Sequence, residues 1–310
     1  MSEISSSLLL FLSVDLVGST AFKNGLRKKG QEQPWLQFFD SFYIDVPHIL
    51  QKHIGAENSY CPKIWKTIGD EILFQCLIEN KDDSKKVILG LLDALKEYNE
   101  SLILKDLTLS VKATAWLAGF PVINAIVKIG IENDAEVDDY IGPSIDVGFR
   151  IAKYSDSRNL IISVELALVL ADTLSPKEEM RLGGIFVEKE EILKGVFKGF
   201  PYPIISIKLQ DEFEKNRLKV FKSSKAQLVD VYEYCSEFIK LVKDPYIIVI
   251  PYIYFDNQNH YNEIPDSHIE IIRELEEKAK GDYEKGKIPE EIVESGNDIL
   301  EVSDEIQRRL

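Results

Sequence analysis

Asp15 ends an apolar run, Leu8 to Val14 (LLLFLSV), and is followed by Leu-Val-Gly-Ser-Thr. Asp70 stands at the tip of IWKTIGDEILF (64–74), where two apolar arms flank a Gly69-Asp70 turn and also carry Lys66 and Glu71. Further on, Asp146 and Arg150 lie four apart, on one face of any helix that holds them. Charge is expensive to bury, so charges set into apolar runs call for a reason. Two carboxylates about 4 Å apart repel by roughly 4 kcal/mol at an effective dielectric near 20. Either Asp15 and Asp70 are apart in space, or a cation joins them. A hard divalent cation takes oxygen ligands, and Mg²⁺ typically binds through one or two carboxylates plus substrate phosphates. The small residues Gly18, Ser19 and Thr20 form a turn whose backbone N–H groups suit phosphate oxygens. Taken singly, these features read as a turn cap, a hairpin tip and a surface ion pair.

The elements that must position them follow from periodicity. Leu8 to Val14 reads as a strand bounded by DLVGST, and Pro34 to His53 as a helix despite Pro47. Lys63 to Ile78 is a hairpin, Ser84 to Asn99 an amphipathic helix, and Leu107 to Phe120 an alternating strand. Ser144 to Tyr154 is a helix, 160–163 a strand, and Val164 to Ala171 a helix. Ile185 to Val187 and Tyr202 to Ile207 are closing strands joined by LKGVFKGFPYP. The order β-α-ββ-α-β-α-β-α-β-β predicts an α+β layer on the βαββαβ plan. After about Lys208 the composition shifts, and 209–310 is expected to be a mainly helical extension. There Asp211 to Lys243 reads as helical, DPYIIVIPYIYF as two short strands, and Pro265 to Lys280 as a helix.

The 310 residues are 45% hydrophobic and 29% charged, which suits a soluble globular chain with a sizeable core. A net charge of −15 argues against nucleic acid or an anionic membrane as partner. An anionic substrate would need metal ions or a few well-placed cations. The one early apolar run is too short to span a bilayer and has no basic segment before it, so a cytoplasmic location is expected. Cys61, Cys76 and Cys235 lack metal-ligand spacing and read as reduced, buried thiols.

Strand-DxxGST, hairpin-KTIGD, the run Asp139 to Arg150 (DYIGPSIDVGFR) and LKG at 193–195 occur in that order. Over roughly residues 8–208 this resembles the class III nucleotidyl cyclases. The resemblance implies a ferredoxin-like βαββαβ core with added elements, and a head-to-tail homodimer with two sites at its interface. It implies that Asp15 and Asp70, with the backbone of Leu16, hold two Mg²⁺ or Mn²⁺ ions on a nucleoside triphosphate. Gly18, Ser19, Thr20 and Lys194 would bind phosphates, and Arg150 would meet charge at the α-phosphorus. Lys66 and Asp139 match the positions that read the base, from the chain opposite the metal aspartates. The family has Asn where this chain has Asp146, a residue that orients the ribose; a carboxylate lacks the amide's N–H donors and is unfavourable beside phosphate unless protonated or paired.

Lys66 with Asp139 is also the pair expected of an adenine reader. Against adenine, FLSVDLVGST, Trp65 before KTIGDE and the free-standing catalytic domain resemble the pyrimidine cyclases of bacterial Pycsar antiphage systems. Tyr60, on the approach to the hairpin, could stack on a small base. This likeness implies UTP as first choice and CTP as second, and a cyclic product that acts on a separate effector. Two rivals stand beside it. IGDEILF echoes the diguanylate cyclase signature, without its Gly-Gly pair, and Asp146 is what a degenerate nucleotide-binding module would tolerate.

Overall fold

A computed structural model describes residues 7–28, 33–120, 124–129, 137–209, 216, 220 and 226–242. All fall within the first of the two units into which the chain divides, Met1–Ile264. The expected strands of DPYIIVIPYIYF and the helix from Pro265 lie outside the described residues.

The first strand is longer than its apolar run. β1 (Ser7–Val17) continues through Asp15 because it pairs along its whole length with β4 (Ser110–Phe120). On its other side it pairs with β3 (Glu71–Leu77), the second arm of the hairpin begun by β2 (Lys63–Ile68). Gly69 takes φ +62° as the first residue of the two-residue turn, where primed hairpin turns want a positive φ. These four strands run β2-β3-β1-β4, all antiparallel. β7 (Asn159–Ile162) joins β4 in parallel, then come β9 (Pro201–Lys208) and β8 (Ile185–Ile192). The βαββαβ plan is therefore present, extended to seven strands.

Helices α1 (Ser19–Lys28), α2 (Gln33–Ile54, with Pro47 inside it) and α3 (Lys81–Leu104) make the crossovers of the first half. α4 (Pro143–Ala152), α5 (Val164–Thr173) and α6 (Pro176–Leu182) follow, and α7 (Leu228–Leu241) comes after the last strand. α1, α6 and the separate two-stranded ribbon of β5 (Ala125–Ile129) and β6 (Val137–Ile141) were not expected from periodicity.

The two faces of the sheet differ. Even-numbered residues of β1 (Leu8 to Leu16) enter the large core beneath α2, α3 and α5. Leu9 and Phe11 face the other way, into a cluster with Trp65, Leu73, Trp116, Phe120, Tyr140 and Ile145. α4 seats closely there: a Cβ on Gly148 would lie 2.2 Å from the Trp116 ring, so only glycine allows this approach. α7 lies on α5, burying Val231, Cys235 and Phe238 in the large core. Full burial of Val231 and Phe238 is worth about 1.5–3 kcal/mol each. All three cysteines are buried free thiols.

Candidate active site

Strand register builds the first group. Asp15 sits directly opposite Glu71 on β3 and Lys112 on β4, on the face that carries the aromatic cluster. Lys112 Nζ is 3.1 Å from Asp15 Oδ2, and the Ser13 hydroxyl donates to the Glu71 carboxylate. Asp70 is brought to the same rim by the hairpin turn. The Leu16 N–H donates to the Asp70 carbonyl at 3.3 Å, the Ser19 hydroxyl donates to the Asp70 carboxylate, and the Tyr43 hydroxyl donates to the Gly69 carbonyl. Asp15 and Asp70 thus lie side by side, one of the two possibilities their sequence left open.

Their charges register on one another. Burial raises the pKa of Asp15 and the charge of Asp70 adds to the rise, while Lys112 opposes it. Burial likewise raises Glu71, with Asp15 and Asp70 adding and Ser13 and Lys112 opposing. The donor set is hard oxygen throughout, and the mutual repulsion is what a divalent cation would relieve, so the residues fit Mg²⁺ or Mn²⁺. Among the described residues no three His, Cys, Asp or Glu side chains form a cage, so further ligands would have to come from substrate and water.

The expected phosphate turn differs from its sequence reading. Leu16 and Val17 are still strand, Leu16's side chain is in the core and its N–H is taken by Asp70. Only Gly18, at φ +88°, forms the turn, because β4 pairing carries the strand onward to Val17. The first helical bond of α1 runs from the Phe22 N–H to the Gly18 carbonyl, so the N–H groups of Ser19 and Thr20 belong to a helix N-terminus. Ser19's hydroxyl serves Asp70.

A second group lies on the aromatic face. A bulge between Ile64 and Lys66 lets Trp65 enter the cluster while Lys66 reaches β6. Asp139 Oδ1 accepts from Lys66 Nζ (2.7 Å), the Trp65 indole N–H (3.0 Å) and the Tyr140 N–H (3.0 Å). Burial opposes ionisation of Asp139, but the Lys66 bond and the Tyr140 N–H outweigh it and hold its carboxyl below the ordinary range. Trp65 thus both packs in the aromatic cluster and donates to Asp139, a contact that its place before KTIGDE did not show.

The third group joins α4 to the turn before β9. Gly142, at φ +139°, caps α4 and Pro143 starts it, which sets Asp146 and Arg150 on its exposed side. Arg150 Nε donates to the Lys194 carbonyl at 3.0 Å, so these two expected phosphate cations are neighbours. Asp146 is one turn away, with no side-chain partner among the described residues.

Tyr60 does not join the Lys66–Asp139 pair. It packs against the large core on the helix-covered side, with Lys86 Nζ of α3 5.1 Å from its ring centre, because the residues before β2 fold back toward α3. A cavity of about 640 Å³ between α3, α6 and the starts of β4 and β7 is also on that side and is lined by none of the residues named above as site candidates. Among the described residues, no hydrogen bond or ion pair links the three groups within one chain. Lys112, missed at first, was signalled by being the one charge in SVKATAWLAGF.

No family model matches the chain, and no curated protein does. Solved structures do. The adenylyl cyclase CyaB from P. aeruginosa aligns over 68% of this chain and 97% of its own, at TM-score 0.52 and 14% identity. The guanylate cyclase domain of RhGC from Catenaria anguillulae, solved with GTP, covers 65% of this chain and 96% of its own at TM-score 0.47 and 11% identity. The first of these carries the comparison, and its likeness is one of architecture: this chain has the fold of the CyaB adenylyl cyclase.

Proposed function

We propose that the chain is a class III nucleotidyl cyclase that converts a pyrimidine nucleoside triphosphate, UTP first and CTP second, to its 3′,5′-cyclic monophosphate and pyrophosphate. The observation that carries this reading is the convergence of Asp15 and Asp70 at one rim of a sheet with the CyaB fold. Asp15 and Asp70, with the Leu16 carbonyl, would hold two Mg²⁺ or Mn²⁺ ions. When bound, these ions neutralise the triphosphate and favour the ionised 3′ oxygen.

The rest falls to the chain's own side chains. The 3′ oxygen gives its proton to solvent water and bonds to the α-phosphorus as the bond from that phosphorus to the bridging β-phosphate oxygen breaks, releasing pyrophosphate. Arg150 meets the charge that grows there, worth more in the transition state than in the ground state. Its bond to the Lys194 carbonyl aims the guanidinium and keeps Lys194 nearby for the terminal phosphates. The N–H groups of Gly18, Ser19 and Thr20 at the start of α1 face the same anion. Asp146 stands where the ribose would lie.

Asp139 has one oxygen saturated by three donors, leaving Oδ2 as an acceptor, while Lys66 keeps donors to spare. Such a pair reads a base edge with one N–H donor beside one acceptor, as uracil, cytosine and adenine all present. Among the described residues no hydrogen bond or ion pair joins this pair to the carboxylates, which is compatible with sites shared between two copies. Exposed apolar side chains support the same reading: Ile64 and Ile68 on β2, and Ile126, Ile129, Val137 and Ile141 on the β5–β6 ribbon. The cyclic product would act on a separate effector, in antiphage defence. No helix among the described residues is long and apolar enough to cross a membrane.

A second reading, an ATP cyclase, is favoured by the Lys66–Asp139 pair and by the fold neighbour's own activity. Purified protein incubated with ATP, GTP, CTP or UTP plus Mn²⁺, with products identified by mass, decides between them. The expected result is a cyclic pyrimidine nucleotide with equimolar pyrophosphate, lost in Asp70→Ala. A cyclic purine product would overturn the pyrimidine assignment, and no product from any of the four would overturn the enzyme.

A further inference from the structure

Lys112 occupies a costly position. It lies in β4, between β1 and β7 in the middle of the sheet, and its side chain is only 25% exposed. A lysine near a rim ordinarily carries its ammonium out to water. Here Nζ turns to Asp15 Oδ2 at 3.1 Å, while Asp15's other neighbour, Glu71, is engaged by Ser13. The Lys112 ammonium thus contacts Asp15 and is felt by Glu71, while the charge of Asp70 bears on both carboxylates. A divalent ion on Asp15 and the Lys112 ammonium need the same oxygens, and the two cations repel one another.

We infer that Lys112 is a built-in counter-cation that a divalent ion must displace from Asp15, so that the chain alone binds divalent cations weakly and binds them well only together with a triphosphate. The inference rests on the proposed metal role of Asp15 and Asp70. Strand register keeps the two groups close, because Lys112 and Asp15 are cross-strand partners, while the lysine's flexible stem lets its ammonium swing off Asp15 with β1 and β4 still paired. A bound triphosphate changes the balance: its phosphates supply the released ammonium with a new anionic partner a few ångströms away. Lys112 in this role sets metal affinity and binding order without touching the reacting atoms.

Mn²⁺ titration followed by electron paramagnetic resonance, on nucleotide-free protein, tests this without reference to turnover. Lys112→Met is expected to bind Mn²⁺ about tenfold more tightly than wild type, and Lys112→Arg to stay near wild type, since charge near the ligand is the variable. Adding a 3′-deoxynucleoside triphosphate, which cannot cyclise, should shrink the advantage of Lys112→Met. Where Lys112→Met does not fold, Lys112→Gln serves, removing the charge while keeping a polar N–H donor on a stem one atom shorter. Asp70→Asn separates the two levels of inference. If Asp70→Asn weakens Mn²⁺ binding while removal of the Lys112 charge leaves it unchanged or weaker, the counter-cation role is wrong and the metal site stands. If Asp70→Asn leaves Mn²⁺ binding unchanged, the metal site itself is wrong and the counter-cation role goes with it.

Discussion

At the scale of single residues, what matters is which charges are held and by what. Asp139 is fixed by three donors on one oxygen, whereas among the described residues Arg150 is held only through its Nε, on the exposed side of α4. That difference suits their proposed tasks: a base reader must be rigid, and a cation that follows developing charge must keep free N–H donors. Arg150→Ala should therefore lower kcat by two orders of magnitude or more, on the scale of losing one transition-state donor, with little change in KM. Steady-state kinetics on the preferred nucleotide check this, and an effect confined to KM would reduce Arg150 to ordinary phosphate binding. Much at this scale was legible from the residues, because charges inside apolar runs are conspicuous. Tyr60 was misplaced for a physical reason: an aromatic ring before a strand packs on whichever face has room, and here Lys86 and the large core hold it on the helix side. The partners of Asp15 and Asp139, Lys112 and Trp65, lie 97 and 74 positions away on other strands, so although each is conspicuous in the sequence, only the folded pairing shows whom it meets.

At the scale of elements, the sheet and the long helices followed from alternation and helical spacing, while short or exposed elements did not. α6 carries its own signals, a Ser175–Glu178 capping box and Gly183 in a left-handed cap, but its seven residues are too few to show a period. β5 (AIVKI) is exposed along its length, so neither side is buried and its apolar residues do not alternate with polar ones. α4 is the element on which the site depends most, since it carries both Asp146 and Arg150 and rests on the sheet through Gly148. Gly148→Ala would drive a methyl group into the Trp116 ring and lift that helix. The expected cost is about 1–3 kcal/mol of stability, as for other overpacked sites, together with a fall in kcat from the displaced arginine. Urea unfolding and kinetics on the same preparation check both; unchanged stability would mean that α4 does not seat on Trp116 as described.

At the scale of the whole molecule, α7 closes over α5 and shuts Glu165 into the interior beside Ser163, the Tyr202 hydroxyl of β9 and Cys235 of α7. Burial lifts its pKa from 4.5 to about 7, with its own N–H and Ser163 opposing. Between those values the folded chain binds a proton that the unfolded chain has released, so stability falls as pH rises from about 4.5 and the loss is complete above about 7. Glu165→Gln removes that titration. Wild type should lose about 2 kcal/mol more than Glu165→Gln between pH 5.5 and pH 8 in urea unfolding; equal losses would mean that Glu165 is not sealed beneath α7. The seating of α7 could not be read from a charged stretch following the last strand, because which side of an isolated amphipathic helix finds a partner depends on the surface it meets. The same scale holds the central claim, that carboxylates from one copy and a base-reading pair from another make each site. Mixing Asp70→Ala chains with Lys66→Ala chains tests it most directly. Each variant alone should be nearly inactive, and an equal mixture should recover roughly a quarter of wild-type cyclase activity, since half of the dimers are mixed and each of those has one intact site. Activity in the mixture no higher than in either variant alone would contradict it.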